Sequence, residues 1–118
     1  MADAPVNGQA FDISIDYETT DLEEAVFCLG FIDEMGRELG AAASKIIPVT
    51  KGKGTVTCTI EPLPLRSGVY FPFVAILSPD GVVRDRWRLE RALVVDHDEA
   101  SVIEGFGPLD IPSAWSVA

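Results

Sequence analysis

The sequence predicts an all-β fold, an antiparallel sandwich of two packed sheets. Three observations carry this. Apolar residues recur with a period of two, or fill whole short runs, at several places along the chain. Gly, Pro and Asp clusters separate those runs at short intervals. No segment of ten residues carries the three-and-four spacing of an amphipathic helix. The 118 residues, 47% of them hydrophobic, suit one domain with a real core. Residues 1–9 read as a lead-in and 10–118 as the domain, with a tail over 105–115.

The elements follow in order. Phe11 to Tyr17 alternates apolar and polar residues without a fault, the mark of a half-buried peripheral strand. Glu18 to Glu24 is an acidic connector. Ala25 to Ile32 is apolar on both faces, with Phe27, Leu29 and Phe31 on one and Val26, Cys28, Gly30 and Ile32 on the other. The run is short, aromatic and β-branched, which favours a central strand over a helix. Asp33 to Gly36 turns it back. Residues 37–47 form a weaker strand or an irregular edge, ended by Pro48. Lys51 to Gly54 reads as a turn, and Thr55 to Ile60 as a strand that points Val56, Cys58 and Ile60 inward.

The corner Leu63-Pro64-Leu65-Arg66-Ser67-Gly68 opens onto the strand 69–77, again apolar on both faces. Tyr70, Pro72, Val74 and Ile76 form one face; Phe71, Phe73, Ala75 and Leu77 form the other. Pro79-Asp80-Gly81 closes it: Pro presets φ, Asp caps the turn and Gly accepts φ > 0. Val82 to Leu89 returns as a hairpin, and Ala92 to Val95 adds another strand. Residues 96–104 are polar, and 105–115 form a Gly/Pro-broken tail.

The net charge of −10 comes from 19 acidic and 9 basic side chains. Such a surface repels phosphate backbones and anionic lipid, which argues against nucleic acid and membrane partners. No apolar run approaches the ~20 residues of a bilayer span. The N-terminus lacks a basic start followed by an apolar stretch, so a cytoplasmic location with Cys28 and Cys58 as thiols is expected; in a secreted chain the two would be candidates for a bridge.

Catalytic signals are sparse. The single histidine, His97, sits among acidic residues in Val95-Asp96-His97-Asp98-Glu99, but neighbours along an extended chain point to opposite faces and converge poorly on an ion. Lys-Gly-Lys-Gly-Thr at 51–55 lacks phosphate-loop spacing. There is no G-x-S-x-G and no paired-cysteine metal spacing. The expectation is no enzyme, no metal and no cofactor.

Two features point to binding. A sandwich needs only one buried face per sheet, so the second apolar face of 25–32 and 69–77 calls for cover by the chain's own tail, a second copy or a ligand. Arg84, Arg86 and Arg88 share one face of their strand, and Trp87 lies on the other. Arginine offers a planar fork of donors to hydroxyls and carboxylates, and Trp a flat face for the C–H side of a sugar ring. The same arginines also suit a solvated edge strand guarded against aggregation.

In several of its segments the chain resembles the C-terminal polysaccharide-binding domain of Wzt-type ABC-transporter ATPases. The opening strand ending in Tyr17, Phe27-Cys28-Leu29-Gly30-Phe31-Ile32-Asp33-Glu34-Met35-Gly36, Gly54-Thr55-Val56, the 63–70 corner and the terminal Gly107-Pro108-Leu109-Asp110-Ile111-Pro112-Ser113-Ala114-Trp115 carry the likeness. It implies an immunoglobulin-like sandwich that recognises an O-antigen-like polysaccharide in the cytoplasm before export. It also implies a homodimer with the C-terminal strand exchanged or packed between protomers, and a nucleotide-binding module as partner. The face argument offers Arg84, Arg86, Arg88, Trp87, Phe71 and Phe73 as glycan contacts, and Val26, Ile32, Leu109, Ile111 and Trp115 as the dimer or tail interface. The alternative is a protein-interaction sandwich that binds no sugar; a small carboxylate enzyme is a third reading.

Overall fold

A computed structural model describes residues 5–89, 91–96, 108–111 and 113–117. Eight strands follow one another: β1 Phe11–Thr19, β2 Glu24–Ile32, β3 Glu38–Ala43, β4 Ile47–Pro48, β5 Gly52–Ile60, β6 Gly68–Leu77, β7 Val83–Arg88 and β8 Leu93–Val95. Strands β1 and β5 pair antiparallel as one sheet. The other sheet runs β3-β2-β6-β7, with β4 also on β2 and β8 also on β6. The all-β sandwich expected from the sequence is the fold that forms.

The core lies between the sheets. Ile15 of β1 meets Leu29 and Phe31 of β2, Tyr70 and Val74 of β6, and Leu63 and Leu65 from the corner. A second cluster joins Leu22, Ala25, Phe27 and Ile76, with Tyr17 and Trp87 against it. Both central strands, β2 and β6, are the runs that read as apolar on both faces.

Each edge of the larger sheet is split. On one side Ser44 interrupts the edge: its N–H donates to the Phe27 carbonyl at 2.8 Å, and its hydroxyl accepts from the Phe27 N–H at 2.9 Å. One residue thus replaces a ladder rung between β3 and β4. On the other side Pro72, mid-strand in β6, accepts from Leu89 N–H at 3.0 Å. Donor and acceptor of a strand residue share one side, so the N–H that proline lacks falls where β7 gives way to β8.

One expected turn proves to be strand. Gly52, Lys53 and Gly54 pair with Thr19, Glu18 and Tyr17 at the start of β5. Glycine is depleted in strands, which is why the segment reads as a turn. Here Gly54 is needed, because a Cβ would overlap the ring of its cross-strand partner Tyr17.

The outer face of the larger sheet is sheltered differently from expectation. Phe73 is only 8% exposed and Ile32 6%, and Phe71 is half-buried. The phenyl ring of Phe73 lies over Gly30, where a Cβ would collide with it. The Arg86 guanidinium lies over that ring, 4.3 Å from its centroid, and reaches Glu38 of β3 at 2.5 Å. One residue from each of β7, β6, β2 and β3 therefore builds a girdle across the sheet. Much of the shelter the sequence reading assigned to a tail, a twin or a guest comes from these side chains.

Candidate functional site

Strand β7 decides what each face presents. Trp87 is opposite Val74 and Asp85 opposite Ile76, both on the inner face; Arg88 is opposite Phe73 and Arg86 opposite Ala75, on the outer face. A register shift between Ile76 and Leu77 leaves Arg84 as an extra residue. That breaks the two-residue period. Arg84 bonds to Asp21 in the β1–β2 connection, whereas Arg86 bonds to Glu38. The three arginines expected on one face are thus divided, and Trp87 belongs to the opposite side.

On the inner side, a groove of about 710 Å³ opens between the sheets. Tyr17, Gly54, Ile76 and Trp87 supply its ring and aliphatic surface. Asp85 borders it from β7, and Asp16, Glu18, Lys53 and Thr55 border it from β1 and β5, their side chains on the exposed face of that sheet. Tyr17 is fixed by the Phe27 ring, centroids 5.1 Å apart, and its hydroxyl accepts from Thr50 N–H at 3.3 Å. Asp16 accepts from the Thr55 hydroxyl at 2.8 Å. Trp87 packs against both core clusters, so its position is set by the interior. A flat aromatic surface beside a carboxylate, that of Asp85, is chemistry suited to a polyhydroxylated ring.

On the outer side, a hollow of about 410 Å³ is bordered by Ile32, Gly36, Glu38, Phe73, Arg86, Trp87 and Arg88. Phe73 offers it little ring surface, because Arg86 already covers it. Phe71 shares this face by its pairing with Ile32. The sequence reading named Trp87 and did not name Asp16, Tyr17, Glu18, Lys53 or Asp85, which border the same groove. Only the β1–β5 pairing, 33 or more residues apart along the chain, brings the first four together, so no local spacing announces them.

The interface candidates also separate. Val26 is half-buried on the outer face, and Ile32 is covered. Ile32 nevertheless borders the outer hollow. Leu109 bridges to Leu65, and the adjoining backbone is held by Arg66 N–H to the Pro108 carbonyl at 2.8 Å and Asp110 N–H to the Pro64 carbonyl at 2.5 Å. Beyond it, Ile111 is 80% and Trp115 92% exposed. The seam between β3 and β5 contains two cavities of about 250 and 270 Å³, one bordered by Leu39, Ile60 and Leu109 and the other by Ala43, Val56 and Cys58.

Cys28 and Cys58 are free thiols, both half-buried. Burial, assisted by the Asp12 charge, pushes the Cys58 thiol above its ordinary pKa, so it is a poor nucleophile. Among the described residues no group of three or more His, Cys, Asp or Glu is placed to hold a metal ion, and no helix is long and apolar enough to cross a membrane. His97 lies outside the described residues.

No protein-family model matches the chain, and no curated protein matches it. Among solved structures it is similar to the crystal structure of the C-terminal domain of Wzt, with a TM-score of 0.67 and 17% sequence identity. The alignment covers 98% of this chain and 74% of that one. At that identity the likeness establishes the fold.

Proposed function

We propose that this domain is a non-catalytic glycan-binding module that selects a bacterial O-antigen-like polysaccharide for ABC-transporter export, working in the cytoplasm with the transporter's nucleotide-binding module. The observation that carries the reading is the groove between the sheets, bordered by Trp87, Tyr17, Gly54 and Asp85. The fold shared with the C-terminal domain of Wzt supports it, as does the order of motifs from Tyr17 to Trp115. Sugar rings would lie along the groove, stacked on aromatic surface and hydrogen-bonded to carboxylates. An open groove leaves many hydroxyls hydrated, so each site binds weakly. Arg86, Arg88 and Phe71 on the outer face are secondary contacts in this reading.

A homodimer is part of the proposal. Exposed Ile111, Trp115 and Val117 are large apolar groups with no cover within the chain among the described residues. The apolar seam between β3 and β5 is a receptor of matching character. Two sites in one assembly raise avidity.

The test is a ¹⁵N chemical-shift titration with bacterial O-polysaccharides. Saturable shifts at Trp87, Gly54 and Thr55 are expected. Trp87→Phe keeps much of the packing but shrinks the platform, and should weaken binding about 3- to 10-fold, the range of an aromatic contact. Wild-type affinity in that variant removes the groove as the site. The exposed tail favours one second reading, a protein-docking module; it takes over if no surface glycan shifts any signal.

A further inference from the structure

We propose that the open edge of β1 takes up an extended, basic segment of a partner protein as an added strand. The site is a strand edge and not the sugar chemistry of the groove, so it stands apart from the glycan reading. Strand β1, Phe11–Thr19, pairs along its whole length with β5. Among the described residues its other edge has no backbone partner. In an antiparallel strand every second residue directs both its N–H and its C=O to the same side, so this edge presents a row of unmade ladder bonds.

The place of β1 gives that edge room. Strand β5 borders β2 and β3 across the seam, and Ile15 of β1 meets β2 and β6. The free edge of β1 therefore faces β7. Two strands about 4.8 Å apart cannot roof the wider sheet β3-β2-β6-β7. Trp87, half-buried, and Asp85 border the gap that results. The Arg84–Asp21 pair joins its two walls at the Thr19 end. A strand added to β1 would lie over Trp87, and its alternate side chains would continue the inward row of Ile13, Ile15 and Tyr17.

Charge selects the occupant. The remaining side chains along β1, those of Asp12, Ser14, Asp16 and Glu18, are exposed, and residues 1–36 contain no Lys or Arg. A second β1 at this edge would set carboxylate beside carboxylate, a device that keeps edge strands from pairing with themselves. The same carboxylates favour Lys or Arg at alternate positions of an incoming strand, with apolar residues between them facing the gap. Because that strand covers Trp87, it and a glycan in the groove exclude one another.

The test titrates the full ¹⁵N-labelled chain at about 50 mM salt, where screening is modest. The probes are a peptide of alternating Lys and Val, its Glu and Val counterpart, and two forms of the Lys–Val peptide, one N-methylated on every Val and one on every Lys. The Lys–Val peptide should give saturable shifts along β1, slow the exchange of its open-edge amides, and bind at least about tenfold tighter than the Glu–Val peptide, the scale of two to three exposed ion pairs. In an added strand the N–H groups of one residue type all point at β1 and those of the other point away. One N-methylated form should therefore lose binding and the other keep it. Asp12→Asn, Asp16→Asn and Glu18→Gln should each weaken binding about threefold, and Glu34→Gln, in the β2–β3 turn, should leave it unchanged.

Equal affinity for the Glu–Val peptide overturns the proposal, as does equal weakening by Glu34→Gln, which would mark a bulk-charge effect. Binding by both N-methylated forms would show that no ladder is made and overturns it too. Open-edge amides of β1 that are already protected in the free chain would mean that the edge is paired within the chain. If no peptide shifts a β1 resonance, the strand-addition site fails and the glycan reading is untouched.

Discussion

Gly30 has a job that only the smallest residue can do: the Phe73 ring lies where its Cβ would be. Gly30→Ala should therefore cost about 1–3 kcal/mol, the usual penalty for overpacking a filled site, read by urea denaturation. The same girdle makes Arg86 a packing residue. Its ring contact and its half-exposed pair with Glu38 should together contribute about 1 kcal/mol, so Arg86→Ala should cost that much while Arg88→Ala costs little. An Arg86→Ala chain as stable as wild type would show that the guanidinium only rests on the ring. Tyr70 is a further fixed point, its hydroxyl donating to the Arg66 carbonyl at 2.7 Å where the corner enters β6.

Turns set the registers of the elements they join. In the β2–β3 turn, Asp33 accepts from the N–H groups of Met35 and Arg37, each at 2.9 Å, and pairs with the Arg37 side chain. The Arg37 backbone N–H is the largest cause holding the Asp33 carboxyl below the ordinary range. In the β6–β7 turn the Ser78 hydroxyl does the same for Asp80. A depressed folded-state pKa contributes stability that is present above the unfolded-state pKa and is lost as pH falls through the folded value. Asp33→Asn and Asp80→Asn should each flatten the acid limb of the stability–pH curve and leave its neutral-to-alkaline part parallel to wild type. A variant curve as steep in acid as wild type would show that the turn carboxylate is not a source of that slope. The bulge at Arg84 is the other element-scale device, since it fixes which side of β7 meets the groove.

At the scale of the molecule, two sheets of unequal size are packed together, and the seam between β3 and β5 is lined by cavities. An exposed apolar tail beside such a seam predicts self-association. Sedimentation equilibrium should give a dimer for the full chain and a monomer for a chain ending at Asp110. Trp115→Ser should weaken the dimer without lowering the stability of the fold, because Trp115 is almost wholly exposed. A full chain that stays monomeric at high micromolar concentration ends the dimer proposal.

Much of the fold was legible because strand periodicity is local. Phe11 to Tyr17 alternates in the sequence and alternates in β1; the doubly apolar runs are the central strands β2 and β6. Pro79-Asp80-Gly81 turns where its chemistry says it should, with Gly81 at φ 86°. The Gly52–Gly54 segment misled because the reason for glycine at position 54 is Tyr17, a residue distant along the chain. The site was half legible. Period two placed Trp87 opposite Arg86 and Arg88, but it could not foresee the extra residue at Arg84, nor that Tyr17 and Trp87 pack against one core cluster and border one groove. The sequence by itself determined which segments extend, which faces are greasy and how charge is distributed, since these depend on neighbours one or two residues apart. Only the tertiary structure decided that Phe73 is roofed by Arg86 and that Tyr17 and Trp87 border one groove. Both follow from strand pairing and sheet packing, which join residues according to how buried surface is best filled and not according to their distance along the chain.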